Sequence, residues 1–149
     1  MTSKASRQHA NEHKSWYKGL LDEMVQDLLK AQVLTGVTLD ASPVWMVPGK
    51  ILIARVWPTL EKSRFIWAIA GDAVVPDHAD GTVAVGPREA ARHFSMKWQM
   101  DAEQMHRNTG QLAADNEAAR AMKAHADRLI QGAELLYDLS ERKEIWKPR

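Results

Sequence analysis

Apolar residues recur at Trp16, Leu20, Leu21, Met24, Val25, Leu28 and Leu29, with Asp22, Glu23, Gln26, Asp27 and Lys30 between them. Steps of three and four gather the apolar set on one side of an α-helix, so the pattern predicts an amphipathic helix from about Lys14 to Thr35. Gly36 follows, where a left-handed cap suits a residue without a Cβ. The pattern then changes. Lys50-Ile-Leu-Ile-Ala-Arg-Val-Trp57 and Ser63-Arg-Phe-Ile-Trp-Ala-Ile-Ala70 are rich in β-branched and aromatic residues, which suit strands. The short polar stretch after Pro58 joins them as an antiparallel hairpin, and Val44–Val47 is a candidate third strand. Alternation places Phe65, Trp67 and Ile69 on one face and Ile66, Ala68 and Ala70 on the other.

Helical spacing returns at Gly86-Pro87, where proline at the first helical position loses no hydrogen bond. Ala91, Phe94, Trp98, Ala102 and Met105 form one face down to about Arg107, and Asn108-Thr109-Gly110 ends it. A last helix, from about Gln111 to Leu139, carries Ala119, Met122, Ala126, Leu129, Ala133 and Leu136. Its alternating small and large residues let another helix approach closely at each alanine. That helix is the preceding one, run antiparallel, or one from a second copy, which leaves a homodimer open. The order predicts an α+β fold: a small antiparallel sheet, the hairpin plus a third strand, packed with an N-terminal helix and a C-terminal antiparallel helix pair. Residues 1–12 are polar and read as a flexible N-terminal segment, with 13–149 as a single domain.

Composition narrows the function classes. Of 149 residues, 45% are hydrophobic and 26% charged, with a formal charge of +1; the overall field selects no polyanion. Arg55, Arg64, Arg88, Arg92 and Lys97 stand among Glu61, Glu89 and Asp101, a mixed-charge face more than a nucleic-acid patch. The absence of cysteine rules out disulfides and thiolate chemistry and fits a reducing, cytoplasmic setting. No run approaches the roughly 18 apolar residues of a membrane span.

The strongest polar constellation is Gly71-Asp72, Pro76-Asp77-His78 and Asp80, expected in a loop after the second strand. Carboxylates and an imidazole at a strand end can bind a ligand or act as a general base. With His93 from the following helix, Asp72, Asp77 and His78 make the candidate binding site. Aspartate, glycine and proline are equally the residues that turns prefer, and no metal-loop spacing, phosphate cradle, His-Glu-x-x-His or nucleophile elbow is present. No cofactor and no metal are expected. Among six tryptophans, Trp16, Trp67 and Trp98 read as core, while Trp45, Trp57 and Trp146 are surface candidates, with Trp57 a candidate binding residue.

Ile66-Trp-Ala-Ile-Ala-Gly-Asp72, Pro76-Asp-His78 and Ala91-Arg-His-Phe-Ser-Met-Lys-Trp-Gln99 together resemble a family of uncharacterised proteobacterial proteins of this length, known only as a domain of unknown function. The resemblance implies a bacterial cytoplasmic origin and transfers no catalytic residue. The function expected is a small, non-catalytic module that binds a macromolecule, a protein before a nucleic acid or membrane, in an accessory, regulatory or toxin-neutralising role. The rival is an enzyme or small-ligand binder built on Asp72, Asp77, His78 and His93.

Overall fold

A computed structural model describes residues 4–34, 38–112 and 116–147, with side chains from residue 12 onward; Gly36 lies outside the described residues. The chain forms two compact units, residues 1–82 and 83–149.

The first unit holds α1 (Lys4–Lys30), β1 (Leu39–Val47), β2 (Ile51–Pro58), β3 (Ile66–Ala70) and β4 (Asp77–Asp80). The strands pair in sequence order, all antiparallel. β1 and β2 are joined by Pro48-Gly49, with Gly49 at φ 77° and the Lys50 N–H donating to the Val47 carbonyl at 2.9 Å. Proline followed by a glycine at positive φ is the signature of a type II turn. Pro43 sits beside a register shift in β1, an edge strand, where a missing donor is tolerated. β2 and β3 form the expected hairpin, with Arg55 opposite Trp67 and Ala54 opposite Ala68.

Directly opposed residues share a face, so Leu52, Ala54 and Val56 lie with Ala70, Ala68 and Ile66. These pack with Met24 and Leu28 of α1 into one buried cluster. Full burial of each leucine or isoleucine contributes about 1.5–3 kcal/mol. Ile51, Ile53, Trp67 and Ile69, on the opposite face, are also buried, which is why β2 and β3 read as continuous apolar runs instead of alternating ones. Three elements of this unit differ from the sequence reading. The strand expected at Val44–Val47 runs from Leu39 to Val47. The helix begins at Lys4, because Lys4–His13 has no apolar stripe for periodicity to mark although Ala, Lys, Arg, Gln and Glu favour helix. Asp77 and His78 lie in a fourth strand, not in a loop.

The second unit is α2 (Pro87–Thr109) and α3 (Glu117–Ser140), closed by a short 3₁₀ turn at Lys143–Trp146. α2 starts as expected, with Pro87 in its first turn. α3 starts six residues later than Gln111. Asn116 caps it, its Oδ1 accepting the Ala119 N–H at 3.1 Å, which satisfies one of the orphaned first-turn donors. The two helices pack together through the small-residue seam: Ala126 and Ala133 of α3 are buried, as are Ala91, Phe94 and Trp98 of α2. The Ser95 hydroxyl donates to the Ala133 carbonyl at 2.7 Å, and Arg88 Nε donates to the Ser140 carbonyl at 2.7 Å. The Trp146 indole N–H anchors the C-terminal turn on the Leu139 carbonyl at 2.8 Å.

Candidate functional site

The Gly71-Asp72 pair begins as backbone geometry. Gly71 stands at φ 137° against Lys50, where a Cβ would collide with the Lys50 carbonyl; that same carbonyl accepts the Ala73 N–H at 3.0 Å. Only glycine fits so close an approach at that φ. Asp72 is carried outward and is exposed.

The chain then returns as β4, with Asp77 opposite Ile69 and His78 opposite Ala68. Asp77 Oδ1 accepts the His78 backbone N–H at 2.7 Å, an aspartate fastening its own strand entry. Asp80 Oδ1 accepts both the Thr82 hydroxyl, at 2.7 Å, and the Thr82 backbone N–H, at 2.8 Å. These bonds, the hydroxyl first, hold the Asp80 carboxyl below its usual range, since donors favour the charged form.

A cleft of about 230 Å³ opens beside β4. α1 contributes Glu23 and Asp27, β4 contributes Asp77 and His78, and Leu28 and Ala68 add apolar lining. The chemistry suits a small cationic group: methylenes lie along the aliphatic residues, while the charged end meets carboxylates. Among the described residues, no three His, Asp or Glu side chains are placed to hold a metal ion. Asp77 and His78 are therefore brought together, with two α1 carboxylates that the sequence reading did not include. The only signal for Glu23 and Asp27 is their i, i+4 spacing on the polar side of α1.

His93 belongs to the second unit and is half-buried on α2, beside a shallow groove of about 540 Å³ with Met96, Lys97 and Met100. Here the side of α2 turned away from its buried residues carries Glu89, His93, Met96, Met100, Glu103 and Arg107, at successive spacings of four, three, four, three and four. That spacing keeps all six on one stripe. Met96 is 65% exposed and Met100 64%. Thioethers so placed are adaptable apolar contacts left in water. Apolar periodicity marks the core face of α2 at Ala91, Phe94, Trp98 and Ala102, so this outward stripe carries no such signal in the sequence.

Trp57 is half-buried on β2, with Lys62 Nζ 5.0 Å from its ring centre, a cation–π contact that occupies one face of the indole. The basic residues are similarly engaged. Arg55 stacks 4.8 Å from the ring centres of both Phe65 and Trp67, Arg64 meets Glu61 at 3.1 Å, and Arg92 meets Glu141 at 3.3 Å. A mixed-charge surface results.

Over residues 10–146 the chain matches the family described as Domain of unknown function (DUF4826), and it belongs to that family. The resemblance to an uncharacterised family is borne out. No curated protein and no solved structure matches the chain. Among the described residues, no helix is long and apolar enough to cross a membrane.

Proposed function

We propose that this protein is a small, non-catalytic module that binds another protein through the outward stripe of α2, in an accessory, regulatory or toxin-neutralising role in the bacterial cytoplasm. The observation that carries this reading is the pair Met96 and Met100, more than half exposed side by side in the middle of a 23-residue helix. Apolar side chains grouped on the solvent side of a helix mark a contact surface more often than a scattered single one does. Val85, 83% exposed just before α2, adds to the apolar surface near its start. The lack of cysteine is compatible with the setting.

The test is affinity capture from native lysate with mass spectrometry, comparing the wild-type chain with Met96→Lys/Met100→Lys. A protein partner, an untagged second copy of this chain included, retained by the first and lost by the second supports the reading; identical sets, with the second copy kept or absent in both, overturn it. The rival reading draws on the acidic cleft beside β4, which would take a small cationic ligand. Replacing Asp77 and His78 by alanine should leave the melting temperature nearly unchanged if they serve a ligand, and lower it if they fasten β4. A melting shift on adding amines or divalent ions to the wild-type chain, absent in that variant, would favour the rival.

A further inference from the structure

We infer that the occupant of the α2 stripe is a second copy of this chain, its α2 lying antiparallel to the first about a two-fold axis at Trp98. The inference rests on the protein-binding reading above and names the partner. Helix pairs with a four-three spacing pack in layers, and in an antiparallel pair each early position meets a late one. Centred on Trp98, the stripe reads as its own complement. Glu89 meets Arg107 of the second copy, His93 meets its Glu103, and Met96 meets its Met100; the two-fold axis repeats each pairing. The two methionine layers thus stack at the middle, and opposite charges close both ends. An isologous interface requires this kind of self-matching.

A generic apolar groove would fit an apolar helix of any protein, but four of these six positions are polar or charged, so such a helix would bury them unmatched. A second copy matches them. The stripe spans about 27 Å at 1.5 Å per residue, and among the described residues of the second unit Met96 and Met100 stay exposed on it, while the buried residues of α2, among them Ala91, Phe94 and Trp98, lie on the opposite side. The alanine seam of α3, the other surface suited to a second copy, is packed on α2 through Ser95 and Ala133. Arg107 already meets Glu103 at 3.2 Å, yet a guanidinium has five donors and can take a second carboxylate. Glu89, whose Oε2 accepts the Val85 N–H at 3.1 Å, likewise keeps a free lone pair.

Sedimentation velocity of the purified chain across the micromolar range reads the assembly directly. The wild-type chain should move from 16.8 kDa toward twice that mass as concentration rises, and less so at high salt, where the end pairs are screened. Glu89→Lys sets like charges opposite Arg107, and Arg107→Glu sets like charges opposite Glu89, so each variant alone should remain monomeric. Mixed in equal amounts they should form a heterodimer, because lysine then faces glutamate at one end and arginine faces glutamate at the other. The double variant Glu89→Lys/Arg107→Glu should dimerise again; it lacks the same local contacts as the singles, which separates the interface from helix stability. A wild-type chain that stays monomeric overturns the inference, as does a dimer that either single variant leaves intact or that the mixture fails to restore. If the chain is monomeric but captures another protein through Met96 and Met100, only this inference fails; if capture ignores those residues, the binding reading fails with it.

Discussion

At the scale of single residues, part of the polar constellation holds the backbone: Asp77 and Asp80 each accept a backbone N–H. Gly71 supplies a left-handed φ at a point of contact with Lys50, and Gly71→Ala should therefore cost roughly 1–3 kcal/mol through strain alone, more if the Lys50 carbonyl must move; chemical denaturation measures it. Asp80 makes a pH-dependent contribution with a definite sign. Its folded carboxyl sits below its unfolded value because Thr82 donates two bonds to the charged form, so the contribution is whole above the ordinary aspartate range and is lost as pH falls through the lowered value. Thr82→Ala removes the larger cause, and a carboxyl titration followed by NMR should show Asp80 moving back toward its usual value. Asp77 and Asp80 were both legible as turn-preferring residues. Neither the cleft that Asp77 shares with α1 nor the strand that holds both residues could be read locally, since Glu23 and Asp27 lie about fifty positions away from Asp77 in the chain.

Elements were legible in proportion to how far their stability is written in one face. α1 and α2 carry an apolar pattern of helical period, with the core face where the spacing put it, while β2 and β3 are marked by continuous apolar runs buried on both faces. β4 has the opposite character: Asp-His-Ala-Asp offers no alternation of apolar residues and two residues that strands disfavour, and it exists because β3 presents a free edge to pair with. Tertiary pairing overrode local preference. The start of α3 was misplaced for a different reason, as Ala113 and Ala114 extend the apparent helix in sequence while the true signal is Asn116, one side chain doing the work of a missing carbonyl. Asn116→Ala should destabilise the second unit by about 1 kcal/mol, whereas Asn116→Asp or Asn116→Ser should cost less; hydrogen exchange at Ala119 would report the loss locally, ahead of any change in the helix middle.

For the molecule as a whole, a division between the buried side of α2 and the exposed side proposed to bind a partner makes the binding reading testable without ambiguity. Trp98 is 1% exposed, and its truncation to alanine should cost about 3–5 kcal/mol. For a chain of this size each kilocalorie moves the melting temperature by about 2–4 °C, so Trp98→Ala should lower it by roughly 10 °C. Two residues before it and two after it stand Met96 and Met100, facing water. Exposed substitutions away from caps and cores stay within about 0.5 kcal/mol, so Met96→Lys/Met100→Lys should shift the same transition by no more than about 2 °C, provided the melting is followed at concentrations low enough for the wild-type chain to be monomeric. At high concentration the difference should widen: a partner bound only to the folded state raises its apparent stability by mass action, so the wild-type melting temperature should climb with concentration while that of the lysine variant stays flat. A concentration-independent wild-type curve would remove the second copy from α2, and a lysine variant that melts as low as Trp98→Ala would place Met96 and Met100 in the core instead of on a binding face.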